Sequence, residues 1–481
     1  MDGNKRAADG GELLLILVVL TLLQVQADAL LGRYESLLSS HLAEQRNLLR
    51  HLPISKVRPT FESFVSRINR YGKNHFRRMF RMSLPVFQDL CSTICSAVGE
   101  ATFTPENYLQ KRAQRTKKNS DLLSDGISRF ISGEFKVAIT LRILAGGSYL
   151  DLCPLFDVHP SYVFVLFEDV LAWVRKTFDF PLTKYLTDRN WPALYKLSEG
   201  FTDKTNGIFK FPFAALDGLA VRIIAPTERD GVRGPGNYWC RKGFYALNVQ
   251  AMCDRHKYFL WCYSSNKGAT HDSTAFANSS MYELLESLAE VLAEMGLFIL
   301  GDAAYWLSSF MMTPYEKTEM KNDPQHHKDA YNFYQSSCRI HIECAFGELI
   351  MRWGIFWRAL QFDLITCQKI IQVAMLLHNF ILEHREQDDT HADKTYFEKF
   401  DVPGDDIQNT LTEKTNEIPI PLTTDTGEPE PKGRPTLEVT DLRNKGEEIR
   451  STLTVDLAVA GLSRPMYNMY QNCYGNVILT E

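Results

Sequence analysis

The sequence has 481 residues, 45% of them hydrophobic, which is enough for one large core and a smaller module. Its ten cysteines are too sparse for a disulfide scaffold and form no paired C-x-x-C sets, so reduced and mostly buried thiols are predicted. The formal charge of −5 conceals an asymmetry: residues 50–118 carry 14 Lys/Arg against 4 Asp/Glu, and residues 386–450 carry 8 against 17.

At the N-terminus, residues 13–23 form an apolar run with Lys5 and Arg6 ahead of it and Ala27-Asp28-Ala29 behind. That order imitates a secretory leader spanning 1–29. The run is short for a bilayer, and Asp2, Asp9 and Glu12 cancel the usual positive charge, so an ordinary apolar helix is expected and no membrane partner. Residues 30–125 read as a basic helical region in which Arg67, Arg70, Lys73, Arg77, Arg78 and Arg81 interleave with Phe76, Phe80 and Phe87. This alternation suits a surface helix facing phosphate, and equally a packed helix with a solvated face. Lys111, Arg112, Arg115, Lys117 and Lys118 follow without apolar period, as in a DNA-backbone or nuclear-import patch.

Residues 126–185 predict a compact helical unit. One helix runs through Phe135, Ala138, Leu141 and Leu144, and Gly146-Gly147 breaks it. A short second helix and an Asp157–His159 turn lead to Pro160, a favoured first helical position. The order fits a helix-turn-helix, and an all-α packing module fits as well. From about 210 the pattern changes to strands: 211–216, 244–253 and 257–265, the last two paired as a hairpin. A helix over 280–295, an apolar run at 297–300 and helices near 336–352 and 367–385 complete a mixed α/β sheet with packed helices over 186–385. Residues 386–440, acidic and rich in Pro and Thr, predict a disordered linker. A tail over 441–481 is expected to carry a short helix.

Asp217 and Asp302 each end an apolar strand-like run and precede a small residue, Gly218 and Ala303. In an open α/β sheet, ligand sites gather beyond strand ends. Glu343 lies on a helix with Ile342, Phe346, Leu349 and Trp353, and reaches the aspartates if that helix packs beside both strands. Three converging carboxylates need a neutralising cation, and oxygen-only ligands favour Mg²⁺ or Mn²⁺. Arg241 and Lys242, just ahead of a strand, suit a scissile-strand phosphate or plain solvated charge. His271 with Asp272 positions a flanking phosphate or caps the following helix.

Five blocks occur in a recognisable order: FAALDG (213–218) with YWCRKGFYALNVQAMCD (238–254), GATHDSTAF (268–276), GDAAY (301–305) with TPY (313–315), RIHIECAFG (339–347) with Arg352-Trp353, and LHNF (377–380). Together they resemble the catalytic domain of PIF/Harbinger-type DDE transposases, over about 186–385. Gly218 is followed by Leu219-Ala220 where that family commonly has Thr-His, and Cys344 stands where it often has Arg.

The resemblance implies a ribonuclease-H-like fold, an N-terminal helix-turn-helix, and Asp217, Asp302 and Glu343 as a catalytic set holding Mg²⁺ or Mn²⁺. It further implies DNA cleavage and strand transfer at element ends, a Myb-like DNA-binding partner protein, a homo-oligomer on DNA and a nuclear location. The alternatives are a domesticated, catalytically weak or inactive nuclear DNA-binding protein and a metal-dependent hydrolase of small phosphate esters.

Overall fold

The computed structural model describes residues 60–72, 74–103, 131–202, 205, 207–321, 323, 325–384 and 437–464. The readings of 1–29, of the basic run 111–118 and of the acidic segment up to 436 lie outside these residues.

The first helices are α1 (Phe61–Asn69), α2 (His75–Phe80), α3 (Leu84–Val98) and α4 (Glu100–Phe103). Phe64, Phe76, Phe80 and Phe87 are all at most 2% exposed and stack on one another with Phe61 and Phe135. These rings are core, each contributing about 2–3 kcal/mol by leaving water. The basic face expected here is therefore only partial. Arg77 is 9% exposed, and Arg81 turns inward to donate to the Ala145 carbonyl at 3.4 Å. Arg67, Arg70 and Arg78 stay exposed.

Next come α5 (Gly133–Leu144), α6 (Tyr149–Phe156) and α7 (Pro160–Thr177), at the predicted places. Asp157 adopts the left-handed conformation at the end of α6 (φ 51°), and Pro160 opens α7. Helix α7 buries Val163, Leu166, Phe167, Val170 and Val174 and exposes Phe164 and Val165. Two short helices follow, α8 (Pro181–Thr187) and α9 (Trp191–Thr202).

The sheet comprises β1 (Pro212–Arg222), β2 (Trp239–Cys240), β3 (Phe244–Cys253), β4 (Phe259–Lys267), β5 (Phe298–Leu300) and β6 (Met311–Met312). Strand β1 pairs antiparallel with β3 and parallel with β5. Strand β3 also pairs antiparallel with β2 and β4, and β5 pairs parallel with β6. Between β4 and β5 lie α10 (Asp272–Ala277), α11 (Ser280–Ser287) and α12 (Ala289–Glu294); the single helix expected over 280–295 is broken at Leu288. After β6 come α13 (Lys317–Met320), α14 (His327–Arg352) and α15 (Leu364–Glu383).

Side chains alternate across the sheet, as a strand requires. Ala215 and Val221 of β1, with Val249 and Ala251 of β3, join the core shared with α14 and α15. Leu216, Met252 and Ile299 join a second core with α8, α9, α11 and α12. Helix α15 is long and apolar enough to cross a membrane, but 72% of its apolar window is buried inside the protein. Its Asn379 ties it to β4, accepting from the Phe259 N–H at 2.8 Å and donating to the Phe259 carbonyl at 2.7 Å.

The C-terminal helix, expected to be short, is the 23-residue α16 (Leu437–Val459), which starts inside the segment read as linker and docks on α14 and β6. Arg450, 4% exposed, pairs with Glu319 at 2.7 Å, donates to the Pro314 carbonyl at 3.3 Å and lies 3.9 Å over the Tyr315 ring. Thr454 meets the Tyr315 hydroxyl at 3.0 Å. A β-carbon at Gly446 would stand 2.7 Å from the Ser308 carbonyl group, so glycine permits this approach. Leu457 is fully buried. Leu457→Ala should lower unfolding free energy by roughly 2–4 kcal/mol in urea titrations; a loss below about 0.5 kcal/mol, typical of surface positions, would mean that α16 does not dock.

Candidate active site

Asp217 does not end its strand as expected: β1 continues to Arg222 because its pairing with β3 does, so Asp217 sits mid-strand opposite Ala251, on the face of the sheet that α14 covers. Asp302 follows the end of β5, where its Oδ1 accepts the Ala304 N–H at 2.9 Å. Glu343 lies midway along α14. That helix is pinned to the sheet by Gln335, 1% exposed, whose Nε2 donates to the Gly301 carbonyl at 2.7 Å and the Met312 carbonyl at 3.2 Å. One turn further along α14, Arg339 donates through Nη1 to Asp217 Oδ2 at 3.3 Å and through Nη2 to Glu343 Oε1 at 2.5 Å. The guanidinium side chain is 14% exposed, against 20% for Asp217 and 49% for Glu343.

The electrostatics report the same convergence. Burial pushes the Asp217 carboxyl up to about 6; Arg339 and the Gly218 N–H oppose this, while the nearby charges of Asp302 and Glu343 add to it. Burial disfavours the charged Arg339 guanidinium, yet Asp217, Glu343 and Asp302 outweigh it and hold the group above its ordinary value. The sequence-predicted carboxylates are thus brought within electrostatic reach of one another, around an arginine that the sequence reading left without a role. The signal for it was the polar series Gln335, Arg339, Glu343 at four-residue intervals on a helix whose other face is apolar.

The small size of Gly218 leaves no open space for a ligand. A β-carbon there would collide with Asp272 Oδ1, so the Asp272 carboxylate fills that space. Asn248 donates to the same oxygen at 2.9 Å and Gln250 at 3.2 Å, and Gln250 in turn accepts from the Tyr305 hydroxyl at 2.6 Å. Burial and the charges of Asp217, Asp272 and Asp302 push the Tyr305 phenol well up, so it remains a donor. Asn248, Gln250, Asp272 and Tyr305 form a second polar layer behind Gly218 that the sequence reading missed, because alternating polar residues in a strand look solvent-facing.

His271 precedes α10 without capping it: its ring contacts the Ser273 hydroxyl at 2.9 Å and bonds no backbone N–H of the helix. Arg241 is 81% exposed along its side chain and stands 3.9 Å from Asp272, and Lys242 beside it is exposed. Lys111, Arg112, Arg115, Lys117 and Lys118 fall outside the described residues.

Residues 216–379 match a family model described as DDE superfamily endonuclease. The matched stretch resembles a transposase-type nuclease domain. It opens one residue before Asp217, includes Asp302 and Glu343, and closes on Asn379, the side chain that ties α15 to β4. No curated protein and no solved structure gives a match. The match to DDE superfamily endonucleases implies a nuclease in general, and the mixed α/β sheet flanked by helices is compatible with it.

A native carboxyl raised to about 6 binds its proton more tightly than the unfolded chain does. The associated stability is present below pH ~4 and lost as pH rises through about 6. Asp217→Asn should therefore be more stable than the wild type at pH 7.5, by up to about 2–3 kcal/mol, and no more stable at pH 4. Urea denaturation of both proteins at the two pH values measures this; an unchanged difference between them would contradict the burial of Asp217.

Proposed function

We propose that the chain is a divalent-metal-dependent DNA endonuclease and strand transferase of the PIF/Harbinger DDE transposase type, cutting phosphodiesters at element ends. Asp217, Asp302 and Glu343 are its catalytic and metal-binding set. The observation that carries this reading is the Arg339 fork, which joins a carboxylate from β1 to one from α14 beside a third at the end of β5. The strand order supports a ribonuclease-H-like fold: an antiparallel β1, β3 and β4 meander extended by parallel β5 and β6 through β1. Helices α6 and α7, joined through the Asp157 turn, serve in this reading as a helix-turn-helix.

The donor set fits a hard cation by its chemistry: three oxygen ligands, mutually repelling and partly buried. Among the described residues no three His, Cys, Asp or Glu side chains are gathered tightly enough to hold an ion, and Arg339 supplies the positive charge instead. A bound Mg²⁺ or Mn²⁺ would activate the attacking water or 3′ hydroxyl and stabilise the leaving 3′ oxygen. Asp217, Asp302 and Glu343 would hold it. Gln335 fixes α14 against the ends of β5 and β6, and so sets the height of Glu343 over the sheet. The Gly218 N–H, at 2.8 Å from Asp217 Oδ1, orients that carboxylate. Arg241 and Lys242, exposed beside Asp272, meet the phosphates of the incoming strand. A Myb-like DNA-binding partner, a homo-oligomer on DNA and a nuclear location complete the proposal.

The domesticated, non-cleaving DNA-binding alternative has one observation in its favour. A guanidinium that already pairs with two of the carboxylates lets the fold persist without catalysis.

Asp302→Asn decides between them. It should abolish Mg²⁺-dependent nicking of end-containing DNA while leaving DNA affinity within about threefold, since phosphate contacts carry most affinity. Equal cleavage by the variant refutes the catalytic assignment, and no cleavage by the wild type favours the alternative. Reversing Arg241 and Lys242 to Glu should weaken DNA binding in anisotropy titrations and reduce the salt slope by about 1–2. An unchanged slope would remove them from the DNA path.

A further inference from the structure

We propose that Arg339 is the resident counter-ion of the carboxylate set, and that a divalent cation and the Arg339 guanidinium compete for Asp217 and Glu343. The inference rests on the metal-dependent reading above and assigns a regulator within that site.

The guanidinium contacts the oxygens that a hard cation requires. Nη1 is 3.3 Å from Asp217 Oδ2 and Nη2 is 2.5 Å from Glu343 Oε1. The other oxygen of Asp217 accepts the Gly218 N–H. Its planar fork places one donor on each carboxylate, a geometry that a lysine ammonium, being a point charge, does not reproduce. Arg339 cannot leave this position without cost to the metal-free protein. Asp217 is largely buried, with Asp302 and Glu343 both raising the energy of its charged form, and an unpaired buried charge is unfavourable. The same arrangement partly offsets the charge of the metal-free site and taxes the entry of a cation. Binding requires the fraction of molecules in which the fork has released its carboxylates, and apparent affinity falls by that fraction.

Arg339 also stands on the element that positions Glu343. Gln335, four residues earlier, holds α14 on the sheet independently of the fork. Removing the guanidinium therefore frees the carboxylates while α14 keeps its anchor. A purely structural role predicts the opposite: loss of the fork would scatter the carboxylates and weaken cation binding.

The test is Mn²⁺ titration of the full chain without DNA, followed by calorimetry, for the wild type, Arg339→Gln and Arg339→Lys. Asp302→Asn serves as the control for binding at this site. Arg339→Gln should bind Mn²⁺ at least tenfold more tightly than the wild type, with Arg339→Lys in between. In chelator Arg339→Gln should melt lower than the wild type, and Mn²⁺ should raise its melting temperature by more. Equal or weaker Mn²⁺ affinity in a cooperatively melting Arg339→Gln overturns the proposal. If that variant does not fold, Arg339→Lys carries the test: tighter binding than wild type supports competition, and equal or weaker binding overturns it. Mn²⁺ binding that Asp302→Asn leaves intact in every protein, or its absence from all of them, would overturn the metal-site reading and this inference with it. Tight binding lost only in Asp302→Asn, but indifferent to Arg339, overturns this inference alone.

Discussion

Three carboxylates cannot share a half-buried corner of a protein without positive charge among them, and the guanidinium of Arg339 supplies it. The sheet and α14 are arranged to make that meeting possible. Strand β1 brings Asp217 to the face covered by α14, β5 ends so that Asp302 follows beside it, and Gln335 fixes the helix at the height where Arg339 reaches both neighbours. Because Arg339 on α14 bridges to β1, the local geometry depends on how α14 lies on the sheet more than on any loop.

Behind this corner the sheet is polar in an unusual place. The carboxylate of Asp272 occupies the space that a side chain at position 218 would fill, and Asn248 and Gln250 hold it there. A glycine after the first aspartate is thus a packing requirement of two layers of side chains. Tyr305, donating to Gln250 just after Asp302, joins the loop of the second aspartate to the strand opposite the first.

Asp302 was legible from sequence because an apolar run that ends abruptly in an acid marked a true strand end, whereas Asp217, singled out by the same sign, stands inside β1, whose pairing with β3 runs on to Arg222. Glu343 could be placed on a helix but not brought to them, since nothing in a linear pattern states which face of α14 meets the sheet; Arg339 and Gln335 decide that. In the N-terminal helices the period of arginines suggested one solvated face, whereas α2 is too short to separate its faces and Arg77 is buried with its core side. The break at Leu288 has no proline or glycine to announce it. Helix α16 was read as short because its anchors are Arg450 and Thr454 as much as Leu457, and an apolar period does not register an arginine lying on a tyrosine ring.

That last helix is reached only after about fifty residues beyond α15, yet it completes the surface beside β6. Its attachment is therefore intramolecular binding by a tethered ligand. Because the helix belongs to the same chain, seating it does not cost the translational freedom of a separate partner, so modest intrinsic affinity keeps it seated. A single cut in the connection turns the same contact into a bimolecular one, which dilution then reverses. The contact of α16 with α14 and β6 thus depends on an unbroken backbone.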